Sequence, residues 1–289
     1  MLDILQFEFM RNALLAGLMA SVICGVIGSL VVVNRIVFLS GGIAHAAYGG
    51  IGLAFYLGWP YLAGTLGFSL AAAMVMAAVT LRARHRADTI IGVIWAVGMA
   101  VGVVLLDLTP GYNVDLMSYL FGSILAVPGA ELGHMAVLTA VVLAVVGWCY
   151  PDLLAMAYDE EFARVRGVPV TALHFLLLAL IAVTVVVVIR IVGLILVIAL
   201  MTIPPCIAER YCGSLKAMMI HACGLSALFT LAGLGLAYRY DLSSGAAIIL
   251  VAGAGFFLAL GLSRIVTVRR RRGAKPGSPD ARAAEISPE

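Results

Sequence analysis

The chain has 289 residues, of which 63% are hydrophobic and 11% are charged, and its formal net charge is +3. A soluble domain carries about 25% charged residues, so this composition excludes a soluble globular fold. Apolar runs of about 20 residues, the length that crosses a bilayer core of roughly 30 Å, recur along most of the chain and predict an all-α, polytopic membrane protein.

Hydropathy, together with glycine and proline positions, predicts the membrane spans in chain order. The expected spans cover residues 12–33, 42–58, 61–81, 89–107, 132–149, 171–190, 192–208, 217–238 and 244–266. We therefore expect eight to nine transmembrane helices in a membrane domain over residues 1–267. Residues 268–289, which begin with an arginine run, are expected to form a disordered basic cytoplasmic tail.

Basic residues predict the orientation of these spans. With nine spans, most of them fall into alternate loops, at Arg35, Arg82, Arg84, Arg86, Arg164, Arg166, Arg210, Lys216 and Arg264. Positive loops face the cytoplasm, so the N-terminus is expected outside and the C-terminus inside. The stretch 115–127 is too short to cross and is expected to be a re-entrant or interfacial helix on the outer side.

His45 is the first candidate functional residue, within the glycine-rich second span. A titratable imidazole in an apolar span costs free energy unless it faces a polar cavity or binds a ligand. Neutral imidazole is also a common ligand of transition metals. A purely structural histidine, hydrogen-bonded to a neighbouring helix, is the alternative.

The seventh span contains the second candidate, the sequence Met-Thr-Ile-Pro-Pro-Cys at residues 201–206. The consecutive prolines Pro204 and Pro205 remove two backbone donors and predict a helix break. Met201 and Cys206 would offer soft sulfur ligands at that break. The alternative is a helix that simply ends there.

The polar connection after the fifth span predicts one short cytoplasmic helix. Asp159 and Glu160 stand at its start, where the helix dipole favours acids, and Gly167 terminates it. Phe162 and Val165 are three residues apart and share a face, which suits docking into a groove of another protein, although an ordinary connector is the alternative.

Signatures of enzymes are absent from the sequence. It has no G-x-x-x-x-G-K-[ST] loop and no H-E-x-x-H pair, so we expect neither an ATPase site nor a zinc protease site in this chain. The pair Ser243 and Ser244 is weak evidence for an intramembrane serine protease and more plausibly caps the last span.

Several segments, in order, resemble the membrane permeases of the zinc/manganese/iron ABC importer family over residues 10–266. They are Leu-Leu-Ala-Gly-Leu at 14–18, His-Ala-Ala at 45–47 followed by Gly49 or Gly50, Tyr-Leu-Phe-Gly-Ser-Ile-Leu at 119–125, Ile-Val-Gly at 191–193 leading to Ile-Pro at 203–204, and Asp-Leu-Ser-Ser-Gly at 241–245.

The resemblance implies a homodimeric permease in the plasma (inner) membrane, surrounded by lipid. It implies two cytoplasmic ABC ATPase subunits that use ATP and an extracytoplasmic metal-binding protein, with no nucleic-acid partner. The chain itself would bind no cofactor, and the divalent metal would be its cargo. His45 becomes the preferred pathway ligand, and residues of the short helix, Asp159, Glu160, Phe162, Ala163, Val165 and Gly167, would couple to the ATPase.

Gly41 departs from the family pattern, which commonly has an aspartate one helical turn before the histidine. A carboxylate beside an imidazole suits a divalent cation, whereas glycine offers only its backbone carbonyl. We then expect Met201, Cys206 or Tyr48 to compensate, or the cargo to differ from a metal. A stand-alone secondary transporter is the other alternative.

Overall fold

The computed structural model describes residues 7–83, 86–110, 122, 124 and 127–273. These residues form eleven helices: α1 Glu8–Val33, α2 Val37–Leu57, α3 Tyr61–Arg82, α4 Ala87–Asp107, α5 Gly129–Trp148, α6 Tyr150–Tyr158, α7 Glu160–Val165, α8 Val170–Val192, α9 Leu194–Glu209, α10 Leu215–Tyr240 and α11 Ser244–Gly273. The predicted all-α fold is confirmed. The predicted re-entrant stretch, 115–127, lies outside the described residues apart from positions 122, 124 and 127.

Eight of these helices are long and apolar enough to cross a membrane. The remaining long apolar helix, α9, has 16 residues, and at 1.5 Å per residue it reaches only about 24 Å. The prediction of eight to nine spans is therefore confirmed. The second span was placed too late in the sequence, because its helix begins at Val37 and includes the glycines at positions 41 and 42.

The predicted helix break at Pro204 and Pro205 is wrong, because α9 continues through both prolines to Glu209. A proline inside a membrane helix costs a backbone hydrogen bond, but neighbouring helices can pack against the carbonyl that it frees. The interruption lies instead at Gly193, which joins α8 directly to α9 with φ 85° and ψ 160°. That backbone conformation is accessible essentially only to glycine.

The last helix, α11, extends to Gly273 and takes in the arginines of 269–272, while the bounds of the membrane domain and the disordered tail stay predictions. Arginine has a high helix propensity, so an arginine run can prolong a span beyond its apolar part. The chain divides into two units, Met1–Ala252 and Gly253–Glu289, and the boundary lies within α11.

Contacts at the two ends of the helices support the order of the spans. Arg190 at the end of α8 forms an ion pair with Glu131 at the start of α5, at 2.8 Å. Its guanidinium also lies 4.8 Å from the ring centroid of Tyr61, at the start of α3. At the opposite ends of α3 and α8, the Oγ1 atom of Thr80 lies 2.9 Å from the Nε2 atom of His174. The predicted alternation of the spans places each of these groups on a single side of the membrane.

Candidate metal pathway and coupling helix

Glycines bring α2 and α4 into backbone contact. A β-carbon on Gly49 would lie 2.8 Å from the carbonyl oxygen of Gly98, and one on Gly52 would overlap the backbone of Gly102. The spacing of Gly98 and Gly102 is the close-packing pattern of membrane helices. This contact sets the distance between the His45 segment of α2 and the face of α4 opposite to it.

His45 lies half-buried against two side chains of α4. Its ring stacks on the Trp95 indole, with centroids 4.1 Å apart and planes 14° from parallel. Its Nδ1 atom lies 3.1 Å from the Sδ atom of Met99. Trp95 and Met99 are one helical turn apart. The same face of α4 therefore contacts the plane of the imidazole through Trp95 and its Nδ1 edge through Met99.

Gly41 is buried, yet a β-carbon at this position would meet no atom within 4 Å. It precedes His45 by four residues, so the two positions share a face of α2. There is consequently open space at position 41, on the face of α2 that also carries His45.

The other predicted pathway residues lie elsewhere in α2 and in α9. Tyr48 is buried and packs with Ile51 and Leu106 in the interface of α2 and α4. Met201 is buried within α9, and Cys206 is half-buried near the end of that helix. Among the described residues, His45 makes side-chain contacts with Trp95 and Met99, and the roles of Met201, Cys206 and Tyr48 as pathway ligands stay predictions.

No group of three or more His, Cys, Asp or Glu side chains that could hold a metal ion occurs among the residues described. Sequence reasoning missed Trp95 and Met99. Their i, i+4 spacing was visible, but nothing in the sequence pairs that face of α4 with His45.

The short helix predicted after the fifth span is present as α7, preceded by the separate helix α6, and its cytoplasmic location stays a prediction. The backbone N–H of Phe162 donates to the Asp159 carboxylate at 2.9 Å, which caps the helix. Arg164 donates to Glu160 at 2.6 Å, one turn away. Gly167, with φ 82°, ends the segment.

Two apolar side chains of α7 point away from the protein. Phe162 is 57% exposed and Val165 is 86% exposed, whereas Ala163 is fully buried. Beside them lies a cavity with both charged and apolar walls, lined by Ala78, Leu81, Arg82, Glu160, Glu161, Arg164, Thr171 and Phe175. An exposed apolar edge on an anchored helix is what docking into a groove of another protein would require, and the coupling role of α7 stays a prediction.

The chain matches the ABC 3 transport family over residues 6–263. It is 49% identical over 264 residues to an uncharacterised membrane protein of Synechocystis, covering 91% of this chain and 94% of the relative. It is 35% identical to the "Probable metal transport system membrane protein" of Chlamydia muridarum, covering 87% and 88%. The solved structure of PsaBC from Streptococcus pneumoniae in complex with Fab has a chain with 29% identity and a TM-score of 0.82, covering 89% and 93%. This chain is therefore a multi-pass membrane protein of the ABC 3 transport family.

Proposed function

We propose that this chain is the membrane permease of an ABC importer for a divalent transition metal, namely zinc, manganese or iron. The observation that carries the proposal is the family match over residues 6–263, reinforced by a relative whose name describes a metal transport system. The chain lacks an ATPase motif, so a separate subunit must hydrolyse the ATP.

The family implies an ABC transporter complex that also contains an ATPase and a binding protein. We further propose that two copies of this chain assemble with two ATPase subunits and receive metal from an extracytoplasmic binding protein. The exposed edge of α7, formed by Phe162 and Val165, would be the ATPase contact. Closure of the ATPase pair would move α7 and expose the pathway alternately to each side.

His45 would be the ligand that the ion meets within the membrane. A single imidazole from each copy is a weak site, since the described part of the chain has no group of three or more His, Cys, Asp or Glu side chains that could hold the ion. Weak binding suits transport, because an ion that is held tightly is not released.

The test is the whole-cell elemental profile of cells lacking this chain, cells expressing it and cells expressing His45→Ala, grown in metal-depleted medium. We expect zinc, manganese or iron to fall without the chain and to return with it, but not with His45→Ala at an equal membrane level. If no metal moves, the cargo is not a metal. If uptake survives loss of the ATPase, the chain is a secondary transporter instead.

A further inference from the structure

The contact between His45 and Met99 determines which nitrogen of the histidine carries the proton. A thioether sulfur has no hydrogen to donate and can only accept a hydrogen bond. A hydrogen bond across the 3.1 Å separation between Nδ1 and Sδ therefore requires the proton to be on Nδ1. An unprotonated Nδ1 would instead bring two lone pairs together at this distance.

The other ring nitrogen of His45 is left with its lone pair. Neutral imidazole has one proton, and metal binding requires the neutral form, so Nε2 is the unprotonated atom. Nε2 makes no hydrogen bond to any residue that the structure describes. The ring cannot tilt freely, since its face is stacked on Trp95.

Open space lies on the same face of α2. Gly41, one turn before His45, has no neighbouring atom within 4 Å of a β-carbon position. A cation in that space would approach an imidazole whose tautomer and plane are already fixed. Histidine ligands of metals commonly obtain this orientation from a hydrogen bond at the second nitrogen.

We propose that Met99 is a positioning residue for metal transport, and that its thioether holds His45 in the Nδ1–H tautomer with Nε2 directed to the cation. The effect of Met99 on metal transport rests on the proposed function, whereas the tautomer of His45 does not. A sulfur acceptor is weak, so the hydrogen bond orients the ring without adding much negative charge to it. His45 then remains a weak ligand for the ion.

The tautomer can be measured without any transport. The probe is the purified full chain, labelled with ¹⁵N-histidine and reconstituted in lipid, with the His45 resonances identified by their absence in His45→Ala. We expect a protonated Nδ1 and an unprotonated Nε2 in the wild-type chain. Met99→Leu, which removes the acceptor at similar volume, is expected to shift the proton toward Nε2, and Met99→Gln, whose amide oxygen accepts, to restore it. A wild-type chain with the proton on Nε2 would overturn the proposal.

Uptake in cells that contain the partner subunits tests the consequence. We expect Met99→Leu to lower uptake about 10-fold, the lower end of the usual effect of losing such a partner, and Met99→Gln to recover most of it. Met74→Leu, a half-buried methionine of α3, is the matched control and should transport normally. Met99→Leu with a shifted proton but normal uptake would show that the tautomer is irrelevant to transport. A changed ratio of zinc to manganese uptake would make Met99 a direct ligand and overturn the positioning role. If the wild-type chain moves no metal, the proposed function fails while the tautomer result stands.

Discussion

The α-carbon of Gly28 lies against the carbonyl oxygen of Met201, and a β-carbon at residue 28 would overlap that oxygen. In a regular helix this carbonyl would accept from the backbone N–H of residue 205, which is a proline and has none. The freed oxygen of α9 therefore faces a glycine of α1, whose lack of a side chain allows the two helices to approach closely.

Gly28→Ala tests this contact. The added methyl group would force α1 and α9 apart, and overpacking of this kind costs about 1–3 kcal/mol. We expect a lower midpoint of thermal unfolding, measured by fluorescence-detected size-exclusion chromatography after heating. Gly67→Ala is the control, because no atom lies within 4 Å of its β-carbon position. Equal midpoints for the two variants would contradict the close packing of α1 and α9.

Gly41→Asp tests the open space beside His45. A β-carbon at this position meets no atom within 4 Å, so we expect the variant to fold and to reach the membrane. It would pair a hard oxygen with the imidazole, which favours manganese relative to zinc more than the imidazole does alone. The measurement is the ratio of manganese to zinc uptake in competition, with Gly41→Asn as an uncharged control. An unchanged ratio would mean that position 41 does not face the pathway.

Phe162→Ala tests the coupling surface on α7. The side chain is mostly exposed, so the stability of the permease should change by less than about 0.5 kcal/mol. An aromatic anchor in an interface is commonly worth about 2 kcal/mol or more, so binding of the ATPase should weaken at least 10-fold. Co-purification of the partner and metal uptake would both report the loss. The control is Phe7→Ala, which removes an exposed aromatic ring at the predicted outer end. Full ATPase binding by Phe162→Ala would exclude this residue from the interface.

The ion pair of Arg190 and Glu131 is suited to a charge-swap experiment. Its side chains are 43% and 22% exposed, so its contribution should be below about 1 kcal/mol. We expect Arg190→Glu to lower the unfolding midpoint, since it brings two carboxylates together, and the double variant Arg190→Glu/Glu131→Arg to recover part of it. Absence of any recovery would show that the two residues do not interact across α5 and α8.

The spans and their order were predictable because hydropathy and charge act over whole segments. Local backbone details were harder to predict. The sequence predicted a helix break at Pro204 and Pro205 and none at Gly193, which was noted only as part of a family motif. The structure has the interruption at Gly193. In the structure the prolines stay helical because α1 packs against α9 at Gly28, a contact about 170 residues away in sequence.

The candidate site was predictable in part. His45 could be identified from the sequence because an ionisable side chain in an apolar span costs free energy unless it has a partner. Trp95 and Met99 could not be identified in this way, because apolar side chains of this kind are common in membrane helices. Their significance comes from the glycine contact between α2 and α4, which fixes the register of the two helices.

The helix that supplies Trp95 and Met99, α4, contributes few residues to the packed interior. Only 22% of the apolar stretch of α4 is buried, compared with 72% for α2. Substitutions on the exposed part of α4 should therefore leave the fold intact, whereas Gly98 and Gly102 must stay small. Changes at Trp95 and Met99 would alter the surroundings of His45. A lineage could shift from one metal to another by altering a peripheral helix, and the central bundle would stay unchanged through the transition.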